Sequence, residues 1–105
     1  MKAANLHSAI HKASHETSRL ATAHLRAETS NSGWPSHVAH SIGVTYGKNG
    51  FEVHVPEHHH SEALDHEYGL PGQQPNPAIR RVANRTADVE TFFVNRLYKH
   101  IEDSL

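Results

Sequence analysis

Residues 64–83 read LDHEYGLPGQQPNPAIRRVA and carry the clearest structural signals in the sequence. Gly69 and Gly72 can adopt the positive φ angles that let a chain reverse, and three prolines stiffen the segment around them. Asn76 is a favourable N-cap because its side-chain oxygen accepts a hydrogen bond from a free helical N–H, and Pro77 suits the first helical position. The segment therefore predicts a tight loop that leads into a C-terminal helix.

We predict that this C-terminal helix spans residues 77–103. The apolar residues of the segment keep to one helical face, namely Ile79, Val82, Ala83, Val89, Phe93, Leu97 and Ile101. Thr86 could restart a helix as a cap, but the apolar face keeps its phase across it, so one continuous helix is favoured. Phe92, Phe93 and Leu97 form the heaviest apolar cluster and are expected to pack on the apolar face of a sheet.

A first helix is predicted over residues 3–27, with a loop at residues 29–36 behind it. One stripe of this helix, with spacings of four and three, consists of Leu6, Ile10, Ala13, Thr17 and Leu20. The stripe is narrow and its residues are small, which is typical of a helix–helix seam. Trp34, the single tryptophan, is expected to fill the junction after the helix.

A β-hairpin is predicted in the middle of the chain. Ile42, Val44 and Tyr46 alternate with polar or small residues, and the alternation resumes after residues 47–50. The reversal contains Asn-Gly, a strong hairpin signal. The second strand holds Phe51, Val53 and Val55 and ends at Pro56. We expect residues 57–62 to be an exposed polar connection and residues 63–68 to be either a short third strand or an irregular turn.

These elements predict a single α+β domain over residues 1–105. An N-terminal helix, a small antiparallel sheet built on the hairpin and a long C-terminal helix packed on that sheet follow each other along the chain. With 36% hydrophobic residues, the core is expected to be modest, so that self-assembly could add stability.

Composition excludes several classes of function. The formal net charge of −1 argues against a dedicated nucleic-acid or membrane binder. The absence of cysteine rules out disulfides, thiolate metal sites and cysteine nucleophiles. No stretch resembles a signal peptide or a membrane span, so we expect a soluble chain made in the cytoplasm.

Histidine is unusually abundant, with 12 residues, and two groups of histidines are weighed as possible metal ligands. The first is the run His58-His59-His60, with Glu57, Glu62, Asp65 and His66 nearby. Adjacent residues rarely point at one metal ion, so a solvated loop is favoured. The second is His7, His11 and His15, which share a helix face but lack the glutamate of an H-E-x-x-H motif. A solvated face or an intersubunit contact is favoured there, and we predict no metal site and no cofactor.

No catalytic arrangement is evident, and we predict that the protein is not an enzyme. The chain has no nucleophile elbow and no glycine-rich phosphate loop, and its small core leaves little room for a buried pocket. The last helix carries Arg80, Arg81, Arg85 and Arg96, offset by Asp88, Glu90, Glu102 and Asp103. We interpret these charges as a solvated face rather than as a sequence-specific nucleic-acid surface.

The order of these motifs resembles the neck or tail-completion proteins of long-tailed bacteriophages, which belong to the siphophage head–tail connectors. The resemblance covers essentially the whole chain and is sharpest over residues 67–83. The family's threonine–glycine pair has no counterpart here, where Ser36 stands at its place. The matching motifs are Val38-x-x-Ser41-Ile42, a hairpin, Glu67-Tyr68-Gly69, a short Pro/Gln loop and Pro75-Asn76-Pro77-Ala78-Ile79-Arg80-x-x-Ala83.

The resemblance implies a virion protein without catalytic activity. Such proteins form a ring, commonly a hexamer, between the neck and the tail tube at the head–tail junction, and DNA passes through its channel without sequence-specific binding. The implied partners are further copies of the chain, the head-closure protein and the tail terminator. A closed ring needs two different faces of each copy to meet, and the His/Ala face of the first helix and the hairpin edge are the candidates.

Two alternatives remain from the sequence. The chain could be a tail terminator or a head-closure protein of the same machine. It could instead be a His-rich metal-binding or pH-responsive small protein, since histidine titrates near neutral pH.

Overall fold

The computed structural model describes residues 3–69 and 77–104, and its architecture is α+β, as predicted. Its elements, in chain order, are α1 (Ala3–Asn31), α2 (Ser36–Ala39), β1 (Gly43–Gly47), β2 (Gly50–His54), a 3-10 helix (Glu57–His59), α3 (His60–Tyr68), α4 (Ala78–Ala83) and α5 (Thr86–Asp103). The long helix α1 packs against α5, β1, α4 and α2, so it is the element on which the others assemble. No helix in the described parts of the chain is both long enough and apolar enough to cross a membrane.

Helix α1 buries a line of small residues that differs from the predicted stripe. The buried residues recur every fourth position and are Ala9, Ala13, Thr17, Ala21, Leu25 and Thr29. Leu6 and Ile10 belong to the stripe that was expected to form a helix–helix seam, but each is 41% exposed. Because a step of four residues turns about 40° beyond a full helical turn, the buried line winds around α1 and meets several elements in succession.

The end of α1 corrects the predicted loop over residues 29–36. The helix continues to Asn31, with the Thr29 hydroxyl donating to the carbonyl of Arg26 at 2.9 Å. Gly33 then stops it with a φ of 82°, a value that favours glycine. Trp34 is 4% exposed and fills the junction that follows, as expected.

The predicted hairpin is confirmed, with Val44 opposite Val53 and Tyr46 opposite Phe51. Polar side chains of α1 cover the outer edge of β1. The Thr22 hydroxyl donates to the carbonyl of Val44 at 3.1 Å and accepts from its amide at 2.9 Å, and the Ser18 hydroxyl accepts from the amide of Tyr46 at 2.9 Å. One edge of this two-stranded sheet is therefore satisfied by a helix rather than by a third strand.

Residues 57–68 are helical, so both interpretations of residues 63–68, as a third strand or as an irregular turn, are wrong. The segment His60–Tyr68 contains good helix formers and no β-branched residue, which favours a helix. Ala63 and Glu67, one turn apart, face inward and are buried. Gly69 ends α3 with a φ of 83°, and its amide donates to the carbonyl of Asp65 at 2.8 Å.

The C-terminal segment is two helices, so the prediction of one continuous helix is wrong and the restart at Thr86 is what the structure shows. Helix α4 stops at Ala83, and Arg85 has a φ of −115° and a ψ of 21°, outside helical values. Asn84 and Thr86 have weak helix propensity, which favours a break at this point. The break lets both short α4 and long α5 turn apolar residues toward one core.

The start of α4 also differs by one residue from the prediction. Pro77 is the N-cap residue, and the helix begins at Ala78. The predicted N-cap Asn76 and the turn glycine Gly72 lie outside the described residues.

One hydrophobic core joins the five α-helices and β1, and Phe51 of β2 packs against it. Its buried members are Ala21, Leu25, Trp34, Val38, Ala39, Ile42, Val44, Ala63, Ala78 and Val89. Of the predicted aromatic cluster, Phe93 meets the hairpin, because its ring lies edge-on to Tyr46 with 4.8 Å between centroids. Phe92 and Leu97 are half-buried in α5.

Candidate functional site

The carboxylate of Glu67 joins α3 to α4 across the segment that held the sharpest sequence signals. Oε1 accepts from the amide of Ile79 at 2.8 Å, and Oε2 accepts from the amide of Arg80 at 3.1 Å. Free amides at a helix N-terminus favour a negative charge, so Glu67 caps α4 from a distant part of the chain. Glu67 is only 3% exposed, which makes these hydrogen bonds essential to its burial.

Arg80 completes this junction from the other side. Its Nε donates to Glu67 Oε2 at 3.0 Å, and its Nη2 donates to the Glu67 carbonyl. The guanidinium also lies 4.8 Å from the centre of the Tyr68 ring, within range of a cation–π interaction. Glu67, Tyr68 and Arg80 of the sequence motif therefore act together as a structural clasp.

The three other arginines that the sequence places on the C-terminal segment also contact carboxylates of another helix. Arg81 and Arg85 lie 3.6 and 3.8 Å from the two carboxylate oxygens of Glu28. Arg96 pairs with Glu16. About half of each side chain is exposed in Arg80, Arg81 and Arg85, which agrees with the predicted solvated face. Each of the three nevertheless forms an ion pair with a carboxylate of α1 or α3.

Glu16 links α1 to α5 through two cationic partners, because His100 Nε2 donates to Oε1 and Arg96 pairs with Oε2. Burial raises the pKa of Glu16, but the hydrogen bonds from His100 and Arg96 and their charges outweigh it, so the pKa is lowered overall. This contact fastens the two long helices near the C-terminal end of α5.

His37, His59 and Glu62 form the one group of three potential metal ligands within 4.8 Å of one another in the described residues. His37 Nε2 donates to Glu62 Oε2 at 2.8 Å, and His59 Nδ1 lies 3.8 Å from Glu62 Oε1. The hydrogen bond from His37 is the main cause that lowers the pKa of Glu62. Two members, His59 and Glu62, belong to the predicted His58-His59-His60 neighbourhood.

The other residues of that neighbourhood have different contacts. His60 Nε2 donates to the carbonyl of Val55 at 2.6 Å, and the His66 ring lies 5.7 Å from Trp34. His58 stacks beside His59, with 4.0 Å between ring centroids. Glu57 and Asp65 are exposed and outside the ligand group.

Sequence reasoning missed His37, the third potential ligand. It lies in α2, a single turn of helix in which Pro35 precedes Ser36 and supplies the carbonyl that accepts from Val38 and Ala39. The Pro35-Ser36 pair was a usable helix-start signal. No spacing rule, however, connects His37 with a residue 25 positions away.

The helical histidines His7, His11 and His15 are exposed along α1. They do not belong to the group of three ligand atoms found in the described residues. A solvated face, one of the two favoured interpretations, fits their exposure.

No protein-family model, curated protein or solved structure matches this chain. The likeness to phage neck proteins therefore stays a prediction from the order of the motifs.

Two apolar surfaces are exposed in different places. The first, here the β2 surface, is formed by Val53, Leu64 and Tyr68, which are 40%, 57% and 64% exposed. They line a groove of about 290 Å³ between β2, α3 and α4, with Ile79 at its floor.

The second set of exposed apolar residues, here the distal surface, lies on the two long helices, and none of its members lines the β2 groove. Leu6 and Ile10 of α1 are each 41% exposed, and Val94 and Tyr98 of α5 are 44% and 62% exposed. Each pair is separated by one helical turn and so shares a face. Leu6 precedes Ser18 and Thr22, which hydrogen-bond β1, by about 18 and 24 Å of helix. The molecule is elongated, with extents of 57 × 24 × 21 Å, which leaves room for two separate contact regions.

Proposed function

We propose that this chain is a structural virion protein of the phage head–tail junction, which forms a ring joining the neck to the tail tube around the DNA channel. The observation that carries the proposal is the pair of exposed, dissimilar apolar surfaces on one elongated subunit. A closed ring requires heterologous contacts, in which one face of each copy meets a different face of the next. Exposed apolar patches of this kind are typical of surfaces that become covered by a partner.

The outer edge of β2 favours the β2 surface as one of these faces. Because Val44 and Tyr46 turn their amides toward α1, the pairs Val44–Val53 and Tyr46–Phe51 are not hydrogen-bonded to each other. The backbone groups of Phe51 and Val53 therefore point away from β1, and no hydrogen bond to them is found in the described residues. An open edge beside an apolar groove is a surface that a neighbouring copy can cover.

The clasp between Glu67 and Arg80 supports the same proposal from the sequence side. The stretch that most resembles the neck proteins builds a defined α3–α4 junction, and this junction forms one wall of the β2 groove. The resemblance and the candidate interface thus involve the same part of the molecule.

Charge supports a DNA channel without sequence-specific contacts. The net charge is −1, and all four candidate arginines share their charge with carboxylates of the protein. In the proposed assembly the other partners are the head-closure protein and the tail terminator. A role as a terminator or head-closure protein would use the same two surfaces against different neighbours.

The proposal is tested by the mass of the purified chain in solution, measured by light scattering over a range of concentrations. A ring gives a discrete mass that is a multiple of the chain mass of 11.7 kDa. Val53→Asp, which places a charge in the β2 groove, is expected to lower that mass. Glu52→Ala, on the opposite and exposed face of the same strand, is the matched control and should leave it unchanged.

A further inference from the structure

We infer that His37, His59 and Glu62 bind a zinc ion, a site that the sequence analysis did not predict and that is independent of the proposed ring. The three residues come from three different elements, namely α2, the 3-10 helix and the first turn of α3. Two imidazoles and one carboxylate are a ligand set that zinc uses in proteins, with water in the fourth position.

The distances between the donor atoms suit a tetrahedral ion. With ligand bonds of about 2.0–2.1 Å, donor atoms around zinc lie about 3.3 Å apart. Here His37 Nε2 is 2.8 Å from Glu62 Oε2, and His59 Nδ1 is 3.8 Å from Glu62 Oε1. The whole set lies within 4.8 Å, so side-chain adjustments of about 1 Å would bring the three atoms to coordination distances.

The side chain of His59 supports the zinc site independently of the distances between the donor atoms. Its Nδ1 atom is buried and has no hydrogen-bond partner in the described residues, and its side chain is only 15% exposed. A buried polar atom without a partner costs free energy. That atom lies on the side of Glu62, where a metal ion held by the carboxylate would satisfy it.

The surroundings leave a route for the ion to enter. His37 is 58% exposed and Glu62 is 44% exposed, so both ligands can be reached from solvent. On binding, zinc takes the place of the hydrogen on His37 Nε2, and the neutral imidazole carries its one proton on Nδ1 instead. Two nitrogen donors with a single carboxylate favour zinc over Mg²⁺ or Ca²⁺, which prefer oxygen ligands.

The ion would act as a cross-link. Helix α2 is one turn long, and α3 is held to the rest of the described structure mainly through Ala63, the Glu67 clasp and the contact of His66 with Trp34. Zinc would tie α2 to the start of α3 and so restrain the wall of the β2 groove that α3 provides.

The test is a titration of the full chain with zinc chloride, followed by calorimetry and by hydrogen exchange of the backbone amides. We expect one zinc per chain and slower exchange in α3. His59→Ala and Glu62→Gln should each weaken zinc binding at least tenfold. His40→Ala is the matched control, because His40 is an exposed imidazole next to α2 that is not in the ligand group, and it should change the affinity less than twofold.

The ten histidines outside the ligand group make a second control necessary. His11→Ala removes the middle residue of the exposed row on α1 and should also leave the affinity unchanged. Circular dichroism of each variant establishes that it is folded. Substitution of cobalt for zinc in the wild-type chain gives a further readout, since its visible spectrum distinguishes four-coordinate from octahedral binding.

Binding that survives both His59→Ala and Glu62→Gln, or that is lost in His11→Ala, would overturn the site. An octahedral cobalt spectrum or the absence of tight zinc binding by the wild-type chain would also overturn it.

Discussion

Glu67 receives hydrogen bonds from both the backbone amide and the guanidinium of Arg80, a residue 13 positions further along the chain. This pairing makes the carboxylate of one helix the cap of the next. Both Glu67 and Arg80 lie within residues 64–83, the most distinctive stretch of the sequence.

We predict that Glu67→Gln destabilises the protein by about 2–3 kcal/mol, because hydrogen bonds to a buried charged group are stronger than those to a neutral amide. The amide group can accept with only one of its two terminal atoms, so one of the donors of α4 or Arg80 is left without a partner. Urea denaturation measures the loss. Glu57→Gln, at an exposed site, is the control, and equal stability of the two variants would contradict the clasp.

The edge of β1 gives a second prediction. Thr22→Val keeps the shape of the side chain but removes the hydroxyl that bonds both the amide and the carbonyl of Val44. We expect a loss of about 2 kcal/mol in the free energy of unfolding, since two partly buried backbone groups lose their partner. Thr91→Val is the matched control, because the Thr91 hydroxyl bonds only to Ala87 within its own helix. A similar small effect for both variants would show that α1 does not satisfy the strand edge.

The contact between α1 and α5 predicts a dependence on pH. The pKa of Glu16 is lowered in the folded state, so its ionised form stabilises the fold. This contribution is fully present above the ordinary glutamate pKa of about 4.3 and is lost as the pH falls through the lowered value. We therefore expect wild type to be more stable than Glu16→Gln at pH 7, the difference to begin to shrink below about pH 4.3, and to disappear once the pH has fallen through the lowered pKa of Glu16.

Denaturation of both proteins between neutral and acid pH measures this difference. Glu102→Gln, at an exposed position near the end of α5, is the control and should follow wild type. A difference between wild type and Glu16→Gln that stays constant with pH would be incompatible with a role for the ionised carboxylate.

The hairpin and the helical ends of the chain could be predicted from sequence because their signals are local. Alternation with Asn-Gly gives the hairpin, and an uninterrupted amphipathic pattern gives α1 and α5. The register of burial on α1 could not be predicted in the same way. Thr17 and Thr29 are buried because their hydroxyls bond to their own helix, whereas Leu6 remains exposed.

Features that depend on distant parts of the chain could not be predicted as well from the sequence. The break before Thr86 had a local signal, but the apolar phase on either side of it suggested continuity. The helical state of α3 is favoured by the burial of Ala63 and Glu67, and the partner of Glu67 lies 12 positions further along the chain. The His37–His59–Glu62 group requires the fold to bring together residues that no sequence motif links.

The central claim, that two different faces of each copy meet in a ring, is tested most directly by masses measured by light scattering. We predict a discrete oligomer for wild type, monomers for Val53→Asp and for Tyr98→Asp, and a heterodimer when the two variants are mixed in equal amounts. The mixture restores one contact, since each variant keeps the face that the other has lost. A wild-type chain that stays monomeric at every concentration, or a mixture in which no heterodimer forms, would contradict the account.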